Sequence, residues 1–343
     1  MRPESISFES IPTAIAVLIA AAALDFIVGD PWGWPHPVQA MGKVISVYCN
    51  SQWLVGLKPT LMRRLAGIGL AALLVGGSGL LTGTVLYGLG WVWPGFQWLA
   101  AVILLASCFA GRSLRRAAEE VLEPLAKGNL ALARERLAMY VGRDTQQLTA
   151  AEISRAVLET VSENAIDGVL APLFYFIFGA VLGVIWGGSS EMGVSVAIAY
   201  KAASTLDSMV GYREAPYTHL GWASARLEDA LTWLPCRLSV LAIALISGRP
   251  HHVLRLCRRD AGADPSPNAG WSECAYAAAL GVQLGGANYY RGQLKAKPYL
   301  ADDTRAITPA VIKQALQITR RSFLLGVALG VGALLVSRLL VGS

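Results

Sequence analysis

Arg155-Ala-Val-Leu-Glu159-Thr-Val-Ser-Glu163-Asn164-Ala-Ile-Asp167-Gly168 runs without interruption into Val169-Leu-Ala-Pro-Leu-Phe-Tyr-Phe176. Arg155, Glu159, Glu163 and Asp167 recur every four residues, so a helix here lines them up as one charged stripe leading to an apolar run. Each of the two successive acid pairs costs about 0.2–0.5 kcal/mol of helix stability unless a cation or a proton relieves it, and magnesium would do so. Taken alone, such a stripe reads first as a solvated helix face with Arg155 offsetting one acid.

Working outward, the rest of the chain has the composition of an integral membrane protein. Of 343 residues, 54% are hydrophobic and only 15% charged, and the mean hydropathy is +0.48. That exceeds what a soluble chain of this length hides in a core. Ile11 to Val28, Leu65 to Tyr87, Trp91 to Ala110, Val169 to Trp186 and Ser322 to Val341 each approach the about twenty apolar residues that cross a bilayer. Gly193 to Val210 and Leu231 to Ile246 are apolar but interrupted. The first apolar segment lacks a basic flank and a small-residue cleavage site, which reads as a retained helix. The fold class expected is an all-α, polytopic helical membrane protein.

Basic residues orient it. Lys43, Lys58, Arg63 and Arg64 follow the first span, and Arg112, Arg115 and Arg116 follow the third. Both loops are expected in the cytoplasm, with the turns Gly88 to Pro94 and Gly187 to Gly193 and the N-terminus outside. The stretch Gly248 to Arg321 is also basic; if it too is inside, only one of the interrupted stretches crosses and the other is re-entrant or interfacial. On this reading residues 1–343 form one membrane domain with polar insertions at 112–168 and 248–319 on the cytoplasmic side. Topology accounts for the net charge of +6 and the pI near 9.1, and no basic stripe interleaved with aromatics supports nucleic-acid binding. The five cysteines are odd in number and show no CxxC spacing, which points to neither a disulfide framework nor a zinc site.

The first insertion reads as helical, with Thr149 and Glu152 as a capping box for the helix bearing the acid stripe. The second joins a basic helix to the turn-rich Asp264-Pro-Ser-Pro-Asn268-Ala-Gly270, then to Gly281–Gly286, too glycine-rich for a helix interior. Lys201 and Asp207 lie inside an apolar run, where a structural ion pair and a phosphate-binding role for Lys201 stay open. Arg226 beside Asp229 reads by default as a surface pair. Tyr140-Val-Gly142-Arg143-Asp144-Thr145 has the glycine, arginine and hydroxyl expected around a phosphate. No Walker A or dinucleotide glycine pattern occurs.

Together these strings resemble the adenosylcobinamide-phosphate synthase family, the CbiB or CobD type membrane proteins of cobalamin biosynthesis. The matching blocks are Leu24-Asp-Phe-Ile-Val-Gly-Asp30-Pro with His36-Pro-Val, Tyr140 to Thr145, Arg155 to Asn164 with Asp167 to Tyr175, Tyr200-Lys201 with Thr205 to Tyr212, Ala225 to Asp229, and Ser266 to Trp271 with Leu284-Gly-Gly. They run in family order along nearly the whole chain. Ser204 departs from the family pattern, standing where an asparagine usually precedes Thr-Leu-Asp.

The resemblance implies ATP-dependent amide formation between adenosylcobyric acid and an aminopropanol or its phosphate, with magnesium as helper. A carboxylate is a poor acyl donor, and phosphorylating it supplies a leaving group; that step calls for metal and cationic side chains. Carried over, Glu159, Glu163, Asp167 and Asp207 are the magnesium-side acids, and Glu159, Glu163, Lys201 and Asp207 the catalytic set. Arg143, Lys201, Arg213 and Arg226 are the phosphate-side cations, with Asp144, Asn164 and Asp229 among the substrate-binding residues. Asp30, His36, Ser266 and Asn268 are expected to hold the corrinoid or the amino-alcohol phosphate. The expected partners are these substrates and membrane lipid, with no nucleic acid; self-association and contact with other enzymes of the pathway stay open. The location implied is the cell inner membrane, with the active site on the cytoplasmic side. A transporter of a corrinoid or other anionic solute is the alternative, since a buried cation and anion in glycine-broken segments also suit a substrate path.

Overall fold

The computed structural model describes residues 3–30, 33, 35–57, 59–186, 191–212 and 214–341, so Lys58, Arg213 and residues 187–190 of an expected outer turn lie outside the described residues. In chain order the helices are α1 (Pro3–Ile27), α2 (Pro37–Cys49), α3 (Gln52–Val55), α4 (Thr60–Ala71), α5 (Gly77–Val92), α6 (Pro94–Ala106), α7 (Gly111–Ala126) and α8 (Leu130–Ala138). They continue with α9 (Ala150–Ala165), α10 (Ala171–Ile185), α11 (Glu191–Val210), α12 (Trp222–Ile246), α13 (Pro250–Asp260) and α14 (Ala269–Leu280). A hairpin of β1 (Leu284–Tyr290) and β2 (Gln293–Leu300) then precedes α15 (Pro309–Val341).

Among the described residues, five helical stretches are long and apolar enough to cross a bilayer: 60–92, 94–126, 150–185, 222–246 and 309–339. Four of them overlap expected spans, and 60–92 contains one whole. The fifth, 222–246, is one of the two interrupted stretches, while α11 is not among the five. The apolar part of α1, Ile11–Ile27, is shorter than the rest. Leucines such as Leu73, Leu80, Leu81, Leu245 and Leu329 lie exposed on these helices, the position for a side chain that meets lipid. The architecture is that of a polytopic helical membrane protein, as expected, with one addition: the β1–β2 hairpin. Its two-residue turn is Arg291-Gly292, both at positive φ (51° and 75°), the geometry whose twist matches paired strands.

The chain divides into two compact units. The first holds residues 1–110, 171–231 and 326–343. Within it α10 and α11 form a close antiparallel pair. A Cβ at Gly179 would stand 2.8 Å from the Met192 carbonyl oxygen, and one at Gly193 2.8 Å from that of Phe176. The two backbones can approach only because both positions lack a side chain. The Tyr175 and Tyr200 rings stack between the same helices, 4.7 Å apart.

The second unit holds residues 111–170 and 232–325. Here α7, α8 and α9 pack around Leu137, Ile153, Val157 and Val161, all buried. The expected capping box opens α9: Thr149 Oγ1 accepts the Glu152 N–H, and the Glu152 carboxylate accepts the Thr149 N–H at 2.8 Å. One face of α9 meets α14, where the Ser272 hydroxyl donates to the Ser162 carbonyl. Gly281, at φ +67°, ends α14 in the left-handed conformation that glycine adopts most cheaply, and the chain turns into the hairpin.

Candidate functional site

The charged stripe of α9 is divided by burial. Glu159 is 2% exposed, whereas Glu163 and Asn164 are exposed one turn later. A carboxylate so deep needs partners. Arg143 donates to Glu159 Oε2 through Nη2 and to Asn288 Oδ1 through Nη1 at 2.8 Å. The Gly285 N–H donates to Glu159 Oε1 at 3.2 Å. Arg155 adds the other half of the lattice, donating from Nη1 to the Gly285 carbonyl at 2.8 Å and from Nη2 to the Ala287 carbonyl at 3.0 Å and Asn288 Oδ1 at 3.1 Å. Gly285, at φ +91°, leaves no room for a side chain: a Cβ there would stand 2.0 Å from the Pro298 carbonyl oxygen. Leu284-Gly-Gly is therefore the seat on which α9 docks against the hairpin.

Beside this lattice lies a second charged pair, and the sequence had not marked it. Glu273, on α14, has no exposed side-chain surface, and Lys297 of β2 donates to its Oε1 at 3.0 Å. Glu273 Oε2 is buried with no hydrogen bond among the described residues. Lys297 is 30% exposed, so it links the buried acid to the surface. Burial pushes the Glu273 carboxyl up to about 8; Lys297 pulls against this, while the charges of Glu159 and Glu163 add to it. Lys297 is raised above its ordinary value. Its burial works against the charge, but Glu273, Glu163 and Asp264 together outweigh that.

Several other expected residues of this unit are engaged in local structure. Asp144 accepts the Arg291 N–H at 3.0 Å and the Gly292 N–H at 2.7 Å, holding the hairpin turn. Ser266 Oγ accepts the N–H groups of Asn268 and Ala269 where α14 begins. Asn268 is buried and its Oδ1 accepts from Arg237 at 3.2 Å; Arg237 in turn lies over Trp271 and Trp233. The Asn164 amide donates to the Thr160 carbonyl, and Asp167 sits in the π-helical turn Ile166–Leu170.

The first unit carries the remainder. His36 Nδ1 accepts the Val38 N–H, capping α2, which leaves Nε2 as the donor to Asp30 Oδ1 at 3.1 Å. Lys201 and Asp207 lie on α11, partly exposed; Arg226 is exposed and Asp229 half-buried at the start of α12. Asp207 packs on Gly211, where a Cβ would collide with its Oδ1. Arg213 lies outside the described residues. The expected site residues thus fall into a group in each unit. Arg143, Glu159 and Glu163 are brought together in the second with Arg155, Glu273, Asn288 and Lys297.

Of the four acids expected to hold magnesium, Glu159 has its oxygens taken by guanidinium and backbone N–H groups. Among the described residues no three His, Cys, Asp or Glu side chains are grouped to hold a metal ion. The acids as placed do not form a dedicated metal cage. Magnesium bound to nucleotide needs few protein ligands, because phosphates and water complete its shell.

A comparison with protein families matches residues 18–319 to the family described as CobD/Cbib protein. The chain is 48% identical to the cobalamin biosynthesis protein CobD of Synechocystis sp. over 322 residues, 94% of this chain and 92% of that one. It is 39% identical to the cobalamin biosynthesis protein CbiB of Salmonella choleraesuis over 332 residues, 91% of this chain and 95% of that one. It is also 38% identical to the cobalamin biosynthesis protein CobD of Citrobacter koseri over 331 residues, 93% of this chain and 96% of that one. No solved structure matches.

Proposed function

The chain belongs to the CobD/CbiB family, and with it to cobalamin biosynthesis; from this premise we propose that it is an ATP-dependent amide ligase. It joins adenosylcobyric acid to (R)-1-amino-2-propanol or its O-phosphate, giving adenosylcobinamide or its phosphate through an acyl phosphate. The reaction takes place at the cytoplasmic side of the inner membrane.

The observation that supports this reading is the convergence of Arg143, Arg155, Glu159, Glu163, Glu273 and Lys297 from α9, α14, the hairpin and the loop before α9 within the second unit. Amide formation needs charges of both signs at close quarters: cations for phosphoryl oxygens, acids for an incoming ammonium and its proton. Arg143, Arg155 and Glu159 fix the frame, since their hydrogen bonds go to the hairpin or to one another. Glu163, exposed and within electrostatic reach of Lys297, receives the ammonium end of the amino alcohol. Lys201 on α11 is the cation assigned to phosphate oxygens. Magnesium carried by the nucleotide's phosphates would neutralise charge on the transferring phosphoryl group.

Purified protein in detergent or nanodiscs, given MgATP, corrinoid acid and amine, tests the reading. ATP consumption and amide formation are expected only when both organic substrates are present. Uptake of corrinoid into vesicles without covalent change would overturn it in favour of transport.

A further inference from the structure

We propose that Glu273 is the terminal proton acceptor of amide formation and that Lys297 relays the proton to it. The inference rests on the ligase reading above and adds to it a pair of residues and a path.

An amine is a nucleophile only when neutral, and an amino alcohol arrives at neutral pH as an ammonium. Something must take its proton at the moment of attack. In the second unit Glu159 is unsuited, because Arg143 and the Gly285 N–H hold its charge in place. Glu273 has the opposite character. Its side chain is fully buried, and among the described residues one oxygen accepts a single hydrogen bond and the other accepts none. A carboxylate so poorly solvated binds a proton readily. Lys297 is the route to it, with its head in contact with Glu273 and 30% of the side chain exposed.

The groups around the pair fit the task. From α9, Glu159 and Glu163 raise the proton affinity of Glu273; Asp264, before α14, acts on Lys297. On α13 the Cys257 thiol meets Cys274 rather than Glu273, and Arg259 and Asp260 pair with each other. With the carboxyl pushed up to about 8, the acceptor sits near working pH, where proton transfer is most effective.

In the step, one N–H proton of Lys297 moves to Glu273 Oε1 while a proton of the substrate ammonium moves to Lys297 Nζ, so lysine is an ammonium before and after. The freed lone pair forms the C–N bond at the acyl phosphate carbon. The C–O bond to phosphorus breaks with its electron pair leaving on phosphate, which carries off the second nitrogen proton. One proton remains on Glu273 and returns to solvent by the same path.

Hydroxylamine, an amine neutral at pH 7, separates this role from all others, because it intercepts an acyl phosphate as a hydroxamate without a general base. Wild-type protein should form hydroxamate and amide, with amide kcat rising with pH through about 8. Glu273→Gln, and Lys297→Arg, which keeps the charge but cannot shuttle a proton, should each lose about tenfold or more in amide kcat at pH 7. Both should lose the rising pH limb, while hydroxamate formation stays within twofold of wild type. Equal loss with both nucleophiles, or wild-type amide rates in both variants, overturns the relay while leaving the ligase reading intact. Wild-type protein that makes neither product from ATP overturns the ligase reading and this assignment with it.

Discussion

Asp144 holds Gly292 by its backbone: the carboxylate Oδ2 accepts the N–H of this turn glycine at 2.7 Å, while Oδ1 takes that of Arg291. The neighbouring Arg143 reaches in the same stroke to Glu159 and Asn288. One short segment before α9 thus clamps the hairpin at its tip and along its first strand.

Asp144→Ala releases the tip. Two charge-assisted hydrogen bonds at a partly exposed site amount to about 1–3 kcal/mol. The expected result is a lower thermal midpoint together with faster amide exchange across 284–300. Unchanged exchange there would show that the hairpin stands without this clamp.

Arg143→Met leaves Glu159 buried with only the Gly285 N–H and the long contact to Arg155, at 3.9 Å. Breaking a buried pair from one side costs about 3–5 kcal/mol. Adding Glu159→Gln to that variant should recover part of the loss, as read by denaturant unfolding in detergent. A double variant whose loss equals the sum of the two single losses would mean that the residues do not act as a pair.

Gly285→Ala forces a side chain into the Pro298 carbonyl at a positive φ. The strain costs at least about 1–3 kcal/mol, and the seat for Arg155 and Glu159 shifts with it. Loss of both stability and product formation is expected, and wild-type behaviour would contradict the docking geometry described above.

Glu163→Gln and Lys201→Met leave the frame untouched, because neither side chain belongs to the α9–hairpin lattice. Each should lower kcat/KM for amide formation about a hundredfold or more while membrane insertion and thermal midpoint stay at wild-type values. Full turnover in either variant would remove that residue from the machinery.

Stability should carry the signature of Glu273. Its folded-state proton affinity is raised, from 4.5 to about 8, so between those pH values the folded protein holds a proton that the unfolded chain has released. With more protons bound in the folded state, this group's contribution to stability falls as pH rises through that window. Glu273→Gln should flatten that part of the curve in thermal melts taken from pH 5 to 8.5. A wild-type curve without the fall would mean that Glu273 is ionised throughout.

Much of this is legible in the chain itself. Runs of about twenty apolar residues announce spans by length alone, and the spacing Thr149 to Glu152 announces the start of α9. The hairpin is hard to read because its first strand, Leu284-Gly-Gly-Ala-Asn-Tyr-Tyr290, shows no alternation of apolar and polar residues, the alternation of Gln293-Leu-Lys-Ala-Lys297 is short, and its docking depends on glycines whose role appears only when another backbone lies against them. Its one local signal was Arg291-Gly292 after two tyrosines. Spacing puts Arg155, Glu159 and Glu163 on one helix, as α9 has them, while Asp167 falls in the π-helical turn beyond it; spacing cannot tell that Glu159 turns inward and Glu163 outward, since that is decided by what packs there. Glu273 was missed because a single acid in Trp271-Ser-Glu-Cys-Ala-Tyr-Ala-Ala-Ala gives no pattern. A lone carboxylate in so apolar a helix is itself the warning sign.

Arg155 grips the hairpin through the carbonyl oxygens of Gly285 and Ala287, not through any side chain of those residues. The grip is therefore indifferent to what residue 287, whose side chain is exposed, happens to be. Saturation mutagenesis along this strand should accordingly produce a sharp contrast between near neighbours, with 287 accepting almost any residue and 285 almost none. The border between permissive and forbidden positions would trace, letter by letter, where the main chain itself is the recognised surface.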